Sequence, residues 1–493
     1  MSDSYKIVVG LEVHVQLLTK TKLFCGCPNK FGLDPNSATC PVCLGLPGSL
    51  PVMNRKAFEL ALKAGTALNC KLARYTKWDR KQYYYPDLPK NYQVSQFDLP
   101  FCREGWLEVT TDQGTRKIRI HHIHLEEDAG KLIHDESGQG GSSMIDLNRT
   151  GTPLLEIVSE PDMQSAEEAK AYLEEIRLIM RDLEVSDCEM QEGSLRCDAN
   201  VNLHIPLESG TIVATPITEV KNLNSFRAVE RAIRYEAERQ YEEFQETGNT
   251  IKDADKATAG WNDNRGVTVI QRRKEVAADY RYIPDPDLVP VVVDDAWLES
   301  IAAEVGELPA VARQRLQDKY GLSDYDAGVI TQQGRNFTQY FDALVDTSGD
   351  AKESSNWLTN QVLATMNDRK VDIKEFPIDA PRLAGLIAET KKGLNKQRAR
   401  DVFAHMLDNE GAAGEIMKKL GFEPLRDESK IREIVLKAIA ANEKAVNDYK
   451  NGKKKAADAI KGRIMKETKG QADMQVLMKV LQEELGKLTA EGS

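Results

Sequence analysis

The chain has 493 residues, a net charge of −11 and no apolar run near the roughly 18 residues of a membrane-spanning helix, so we expect a multidomain protein without a membrane anchor. Residues 1–6 lack a signal-peptide pattern, and four of the eight cysteines cluster early, which favours metal binding in a reducing, cytoplasmic compartment. The sequence contains no Gly-x4-Gly-Lys-Ser/Thr loop, dinucleotide fingerprint or Gly-x-Ser-x-Gly elbow. If the protein uses a nucleotide, another scaffold must bind it.

Residues 6–17 alternate between apolar and polar side chains, which predicts a β-strand with one charged face. Gly10, Glu12, His14 and Gln16 share that face. Glu12 and His14 then lie about 6.5–7 Å apart along the strand, where a carboxylate and an imidazole could bind a divalent ion or move a proton. A sheet with one solvated face is the alternative interpretation.

Two close pairs of cysteines follow, Cys25 with Cys27 and, twelve residues later, Cys40 with Cys43. Pairs on turns can bring four thiolates to the corners of a tetrahedron, which suits zinc. Because four protein ligands leave no open position, the predicted zinc site is structural. Four ordinary buried thiols are the alternative.

Residues 79–90 combine Lys81 and a second lysine with three tyrosines and two prolines. This composition suits the wall of a polar cleft or a contact with nucleic acid, although a tyrosine-rich edge of the core would look similar. Further along, Glu126, Glu127 and Asp128 place three acids in succession. With Glu12 they would supply the oxygen ligands that magnesium prefers, unless they form a solvated acidic turn.

The strand predicted over residues 194–204 is polar on one face, where Arg196, Asp198 and Asn200 alternate with apolar residues. A guanidinium, a carboxylate and an amide on one face could hold phosphates and a metal. Further candidates for anion binding are Arg149, Lys221 beside Glu219, and Arg281.

The helical signals divide the chain into three parts. Residues 1–294 mix strands with helices, one of which begins at a capping box in residues 165–168. Residues 295–410 show helical spacing, and residues 411–493 carry the two amphipathic stripes of a small helical bundle. The predicted class is therefore α+β, with a mixed N-terminal domain, an all-α domain and a small all-α tail.

Positive charge concentrates in residues 430–470, which hold 12 Lys and Arg against 5 Asp and Glu. A basic segment on an acidic protein indicates an anionic partner, most often nucleic acid, with a solvated helical face as the alternative. The lysines that contribute most are Lys453, Lys454, Lys455, Lys461 and Lys466.

Taken in order, these segments resemble the signatures of one family, the B subunits of the aspartyl/glutamyl-tRNA(Asn/Gln) amidotransferases. The resemblance rests on Gly10-Leu-Glu-Val-His-Val-Gln16, Leu125-Glu-Glu-Asp-Ala-Gly-Lys131 and Glu192-Gly-Ser-Leu-Arg-Cys-Asp-Ala-Asn200, and on residues 22–25, 41–48, 85–90, 151–161, 221–226 and 279–282. It covers essentially the whole chain, and the order of its motifs is highly specific.

The resemblance implies a cradle-shaped, kinase-like domain over residues 1–294, a helical domain and a mobile tail that holds tRNA. It implies that the protein uses ATP to phosphorylate the side-chain carboxylate of Glu or Asp misacylated on tRNA(Gln) or tRNA(Asn). A partner glutaminase subunit would hydrolyse glutamine and supply ammonia through an internal channel, and a small third subunit would clasp the pair.

The resemblance also assigns roles to the candidate residues. Magnesium would be held by Glu12, His14, Glu126 and Glu127. The nucleotide and acyl pocket would be lined by Arg149, Arg196, Asp198 and Asn200, with Glu219 and Lys221 beside the nucleotide. Lys81 and Glu127 match positions near the end of the ammonia route.

Three positions depart from the family pattern: Ala259 and His204 stand where members usually carry Arg, and Gln271 stands in a segment that usually begins with Met. These departures put individual anion contacts in doubt. Two other interpretations stay open: a non-catalytic zinc protein that binds RNA through its tail, and a hydrolytic metalloenzyme with His121, His122 or His124 as zinc ligands.

Overall fold

The structure is a computed structural model that describes residues 4–134, 143–273, 279–422, 425, 427–450, 453, 456–468 and 472–490. It divides into two compact units, Met1–Pro309 and Ala310–Ser493. The first unit mixes a large sheet with helices and the second is helical, so the predicted α+β class is confirmed. Within the described residues, no helix is both long enough and apolar enough to cross a membrane.

The strands of the first unit are short except where they build its main sheet. They are β1 (Lys6–Gln16), β2 (Lys71–Leu72), β3 (Tyr75–Thr76), β4 (Asp79–Gln82), β5 (Tyr92–Ser95), β6 (Cys102–Thr111), β7 (Gly114–Glu127), β8 (Lys131–His134), β9 (Ser143–Asp146), β10 (Pro153–Ser159), β11 (Leu195–Pro206), β12 (Ile212–Ala214), β13 (Thr218–Lys221), β14 (Ala257–Asn262), β15 (Val267–Arg273), β16 (Ile283–Pro284) and β17 (Val291–Val292). Its helices are α1 (Pro41–Leu44), α2 (Arg55–Ala67), α3 (Ala166–Asp182), α4 (Phe226–Thr247) and α5 (Asp295–Val305).

Among the described residues, ten strands form one sheet in the order β15-β14-β13-β11-β1-β10-β7-β6-β2, with β12 added beside β11. The strand β1 lies near the middle and pairs antiparallel with both β10 and β11. Its predicted alternation is confirmed, because Val9, Leu11, Val13 and Val15 are fully buried while Glu12, His14 and Gln16 are only partly buried. The helices α2, α3 and α4 contribute to the same core, so one face of the sheet is apolar and the other is free to carry chemistry.

The helix α3 begins close to where the sequence predicted. Ser165 Oγ accepts a hydrogen bond from the backbone N–H of Glu168 at 3.1 Å, which satisfies one of the free donors of the first turn. The carboxylate of Glu168 does not return to the backbone of Ser165 as a capping box requires. It accepts instead from the N–H of Gln164 at 2.7 Å and pairs with Arg116 at 2.6 Å.

The second unit consists of helices joined by short turns. They are α6 (Pro309–Tyr320), α7 (Asp324–Gln332), α8 (Arg335–Ser348), α9 (Ala351–Trp357), α10 (Leu363–Arg369), α11 (Ala380–Lys391), α12 (Lys396–Asp408), α13 (Ala413–Lys419), α14 (Glu428–Ala440), α15 (Glu443–Lys450), α16 (Ala457–Glu467) and α17 (Met474–Ala490), with a π-helical segment, Leu358–Val362, and a short 3₁₀ helix, Ile373–Glu375.

Two hydrophobic clusters organise these helices. One includes residues of α6 to α13, and the other includes residues of α14 to α17. The predicted stripes lie in the second cluster, where Ile431, Val435 and Leu481 are buried, whereas Met474 is exposed. Lys454 and Lys455 lie outside the described residues.

The three-part division made from the sequence stays a prediction. Packing nevertheless assigns two boundary helices: α5 buries Ile301 and Val305 in the core of the first unit, and α13 buries Ile416 and Met417 with the helices that precede it. In each case the helix that follows the predicted boundary packs with residues that precede it.

A buried polar cluster fixes α4 against the sheet. The carboxylate of Glu236 is fully buried and accepts hydrogen bonds from Arg239 at 2.6 and 2.9 Å, from Thr268 Oγ1 at 2.7 Å and from Gln240 Nε2 at 3.0 Å. Burial by itself opposes ionisation of Glu236, but the hydrogen bonds and charge of Arg239, together with the hydrogen bonds from Gln240 and Thr268, outweigh it and lower the pKa. A satisfied charge thus joins α4 to β15.

We expect Glu236→Gln to lower the free energy of unfolding by about 2 kcal/mol, because Arg239 would lose its buried partner. The folded-state pKa of Glu236 lies below the unfolded value of about 4.3, so its contribution is complete above that pH and is lost as the pH falls through the folded value. Thermal unfolding of both proteins across pH would measure this. Glu238→Gln, at an exposed position of the same helix, is the control, and equal stability of the two variants would contradict the prediction.

Candidate active site

The register of the main sheet aligns the polar faces of five strands. Glu12 lies opposite Asp198, and His14 lies between Arg196 on one side and Glu156 on the other. The alignment continues outward, since Glu156 lies opposite His124 of β7 and Asn200 lies opposite Glu219 of β13. Side chains alternate along each strand, so these residues share the face opposite the core.

One cluster on this face contains His14, Glu126 and Glu156, whose donor atoms all lie within 4.8 Å of one another. The imidazole of His14 lies 3.5 Å from Glu156, and that of His124 lies 3.2 Å from Glu156 and 3.3 Å from Glu126. An imidazole and two carboxylates in contact form a donor set that suits a divalent cation.

Electrostatics in this cluster favours positive charge. Burial would lower the pKa of His124, but the carboxylates of Glu156 and Glu126 overcome it and raise the pKa to about 10. His14 shifts upward for the same reason, mainly through its hydrogen bond with Glu156. In return, the two imidazoles hold the pKa of Glu156 well below its usual range despite its burial. The carboxylates thus draw cations to this point of the sheet.

A second cluster contains Glu12, Asp198 and Glu219, again with donor atoms within 4.8 Å of one another. Lys221 neutralises part of it, with its ammonium 2.6 Å from Asp198 and 2.7 Å from Glu219. Asn200 donates a hydrogen bond to Glu12 at 2.8 Å. Burial would lower the pKa of Lys221, but Asp198 and Glu219 more than offset it and raise the pKa, so the lysine stays charged.

Arg196 lies beside the first cluster and donates to Asp128 at 2.7 Å. Asp128 also accepts from Gln16 at 2.8 Å and lies 3.5 Å from Arg149. Burial opposes the charge on Asp128, but Arg196 and Arg149 lower its pKa, so it stays ionised. Arg149 is further held by its hydrogen bonds to the carbonyls of Ala129 at 2.9 Å and Gly130 at 2.6 Å.

Several buried polar atoms on this face have no hydrogen-bond partner among the described residues. They are Nδ1 of His124, Nε of Arg196 and Oδ1 of Asn200. An unpaired buried donor or acceptor costs about 1–3 kcal/mol, so native proteins rarely keep one unless a ligand or an ordered water satisfies it. These atoms lie among or directly beside the two carboxylate clusters, which makes the face the candidate site of this chain.

Glu127 does not join either cluster. Its side chain forms an ion pair with Lys90 and accepts from the N–H of Val94 at 3.3 Å. Glu126 and Glu127 are the last two residues of β7, and adjacent residues of a strand point to opposite faces, so their side chains have different surroundings. The four residues expected to hold one magnesium ion are therefore distributed over three places.

Lys81 lies near the first cluster and makes cation–π contacts with two tyrosine rings. Its ammonium lies 4.8 Å from the ring centre of Tyr280 and 5.9 Å from that of Tyr83. Burial would lower the pKa of Lys81, but the charges of Glu126 and Glu156 raise it. Arg281, another predicted anion contact, is largely exposed and lies 3.9 Å from Asp279.

The four predicted zinc ligands converge. The sulfur atoms of Cys25, Cys27, Cys40 and Cys43 all lie within 4.8 Å of one another, as a tetrahedral zinc site requires. A hydrogen bond with the Cys25 thiol, helped by the backbone of Cys40, lowers the pKa of Cys43 to about 5. A thiolate is thus present at neutral pH, ready to bind a cation.

Two residues of these sites were missed by reasoning from the sequence. Glu156 contacts both histidines, but in the sequence it stands between Leu155 and Ile157 with no ligand spacing around it, although its segment, 151–161, supported the resemblance. Lys90 was visible in the tyrosine-rich segment, but nothing local indicates its pairing with Glu127.

The three residues that depart from the family pattern lie on β11, β14 and β15, and none of them belongs to either carboxylate cluster. Ala259 is buried in β14, and His204 lies opposite Lys6. The zinc hydrolase interpretation gains no support, because within the described residues the clusters of potential ligands contain none of His121, His122 and His124. Burial and the neighbouring imidazoles of His124 and His121 lower the pKa of His122 to about 4.

Comparison with known proteins places the chain. A family model described as the GatB/GatE catalytic domain matches residues 7–299, and one described as the GatB domain matches residues 339–485. The B subunit of the aspartyl/glutamyl-tRNA(Asn/Gln) amidotransferase of Rhodopirellula baltica is 54% identical over 462 residues, covering 93% of each chain. The protein of the same name from Moorella thermoacetica is 47% identical over 98% of this chain and 100% of its own length.

Both the order of the motifs and these matches extend over nearly the whole sequence, and the predicted resemblance is confirmed. The chain belongs to the family of aspartyl/glutamyl-tRNA(Asn/Gln) amidotransferase B subunits.

Proposed function

We propose that this chain works as the B subunit of a glutamine-hydrolysing, tRNA-dependent amidotransferase, a carbon–nitrogen ligase. It would use ATP to phosphorylate the side-chain carboxylate of Glu or Asp misacylated on tRNA(Gln) or tRNA(Asn). Ammonia, released from glutamine by the glutaminase subunit, would then attack the acyl carbon and expel phosphate to form the amide. A small third subunit would complete the complex, in the cytoplasm.

The observation that carries this proposal is the pair of carboxylate clusters on one sheet face, with cations between and around them. Phosphoryl transfer requires little covalent chemistry from the protein and mostly needs charge neutralisation and positioning. Arg196 and Lys221 are the cations placed to hold phosphate oxygens, since both are positively charged and expose 36% and 35% of their side chains, respectively. Asn200 can orient a bound group through its unpaired carbonyl oxygen.

The residues present fit divalent cations at this face. The cluster of His14, Glu126 and Glu156 would hold one magnesium ion, and Glu12 with Asp198 would offer oxygen ligands to another. A magnesium ion bound there would neutralise charge on the transferring phosphoryl group. The protein's own part is to keep the carboxylates ionised and aimed at one point, which the imidazole of His124 supports.

The remaining polar groups suit the second half of the reaction. An acyl phosphate hydrolyses readily, so water must be excluded while ammonia is delivered. The buried ion pair of Lys90 and Glu127, together with Lys81 among its tyrosines, offers an enclosed polar surface next to the first cluster. We assign these residues to the end of the ammonia route.

Substitution of the acids should separate the kinase-like step from the glutaminase. We expect Glu12→Gln and Glu156→Gln to lower tRNA-dependent ATP hydrolysis and amide formation by about 10²-fold or more, because charge stabilisation of the transition state is lost. The basal activity of the glutaminase subunit should stay intact. The assay needs the assembled complex with Glu-tRNA(Gln) or Asp-tRNA(Asn), ATP and glutamine. Glu108→Gln, at an exposed position of β6, is the control, and normal amidation by the Glu156 variant would refute the assignment.

The cysteine cluster should bind about one zinc ion per chain as a closed structural site. We expect Cys40→Ser to lower both the zinc content and the thermal stability, whereas Cys188→Ser, at a buried cysteine outside the cluster, should keep the zinc. Elemental analysis and thermal unfolding measure the two effects. Stoichiometric zinc in a Cys40/Cys43 double variant would show that the metal binds elsewhere.

The tail should supply affinity for tRNA through its lysines. Lys453 and Lys466 are exposed on or beside helices whose apolar faces form their own cluster, so truncation after residue 426 leaves α13 in place. We expect this truncation to weaken tRNA binding and to flatten its dependence on salt, because fewer counterions are released. Binding measured at several salt concentrations tests this, and an unchanged slope would assign the lysines to solubility.

A further inference from the structure

The short helix α1, which carries Cys43, ends directly beneath Lys90. Gly45 caps this helix with a φ of +69°, and a Cβ atom added there would lie 3.1 Å from Lys90 Cβ, 3.2 Å from Lys90 Cδ and closer still to Lys90 Cγ. The stem of Lys90 therefore passes close over Gly45, two residues after Cys43, the last ligand of the four-cysteine knuckle (residues 25–43). Real Cβ atoms avoid such distances, so a larger residue at this position must displace the lysine.

Lys90 reaches from this crossing to Glu127. The two side chains form an ion pair and expose only 7% and 5% of their area. A buried pair is stable only in a closely defined geometry, because a charge that loses its partner in such surroundings keeps its desolvation cost without the compensating attraction. Anything that moves the stem of Lys90 thus acts on Glu127.

A second contact joins the knuckle to the other partner of the pair. Gly151, with a φ of +83°, lies between Cys43, Glu127 and Lys22: a Cβ atom there would lie 3.5 Å from Cys43 Cβ and 3.6 Å from both Glu127 Oε1 and Lys22 Cδ. Two backbone hydrogen bonds of 2.9 Å hold Gly151 in place. Its carbonyl accepts from the N–H of Leu23, and its N–H donates to the backbone carbonyl of Asp128.

Lys22 links this contact to the charge of the cysteine cluster. Its side chain is fully buried, its ammonium donates to the carbonyl of Ala38 at 2.7 Å, and it lies 3.7 Å from Cys43 Sγ. A zinc ion with four thiolates carries a net charge of about −2, which a buried ammonium at this distance partly offsets.

We propose that the four-cysteine knuckle is a positioning element for the Lys90–Glu127 ion pair, acting through Gly45 on the lysine and through Gly151 on the glutamate. Loading the knuckle with zinc then sets the geometry of a pair that lies outside the zinc site. The consequence for catalysis rests on the proposed function, in which this pair belongs to the ammonia route.

The coupling can be measured without any assay of activity. In the assembled complex, acylation of Lys90 by an amine-reactive ester, followed by peptide mass spectrometry, reports how far its ammonium is withdrawn from solvent; exposed Lys20 serves as the internal standard. We expect Gly45→Ala to raise the reactivity of Lys90 several-fold. Gly48→Ala is the matched control, because Gly48 lies in the same segment at a φ of +85° with no atom within 4 Å of the added Cβ. Backbone strain is thus common to both variants, whereas the contact with Lys90 is not.

Removal and return of the metal give a second measurement on the unaltered chain. Stripping zinc with a chelator should raise the reactivity of Lys90, and adding zinc back should restore it. Equal reactivity in the Gly45→Ala and Gly48→Ala variants would overturn the proposal, as would a Lys90 reactivity that does not respond to zinc.

Kinetics then separates positioning from general stability. Gly45→Ala should reduce ammonia-dependent amidation by about tenfold or more, because displacement of the Lys90–Glu127 pair changes the positions of groups on the ammonia route. The tRNA-dependent hydrolysis of ATP and the glutaminase activity of the partner subunit should persist. In the background of Glu127→Gln the same substitution should have little additional effect, since both changes act on one pair. If Gly45→Ala changed the reactivity of Lys90 but left amidation normal, the knuckle would still position the ion pair, but the pair would not belong to the ammonia route. The positioning role and the proposed role in the ammonia route can therefore be refuted separately.

Discussion

The pairing of β1 with β10 on one side and β11 on the other is the constraint on which the rest of the structure depends. It places Glu12 opposite Asp198 and His14 beside Glu156. A register shift of one residue would turn those side chains into the core and bring Leu11 and its apolar neighbours to the site. The burial of one face therefore specifies the chemistry of the other, and the same hydrophobic packing that stabilises the sheet holds the acids in line.

That alignment creates an electrostatic problem that the surrounding cations solve. Carboxylates gathered on a half-buried face repel one another unless positive charge lies between them. Their negative charge stabilises the protonated form of each neighbouring base and so raises its pKa. Lys221 serves one cluster, and His14 with His124 serves the other. Under the proposed function, a nucleotide with its metal ions would bind this face and could satisfy polar atoms that the described residues leave unpaired.

Much of this arrangement was predictable because it is local. Alternation predicted the polar faces of β1 and β11, the spacing of Cys25 to Cys43 predicted their convergence, and the amphipathic stripes predicted α14 and α17. The boundaries between the parts were harder to predict. The composition of a helix such as α5 does not indicate whether it packs with the residues before it or with those after it. Periodicity indicates which face of a helix is buried, but not against what.

The sequence by itself determined the family, the identity of most charged residues at the site and the face on which each strand displays them, since these follow from motif order and from side-chain alternation. Only the tertiary structure decided their partners. It placed Glu156 between His14 and His124, and it separated Glu127 from Glu126 to pair with Lys90. The physical reason is that a strand's own residues define its faces, whereas its neighbours in the sheet come from segments far along the chain, and no local pattern records which carboxylate will meet which cation.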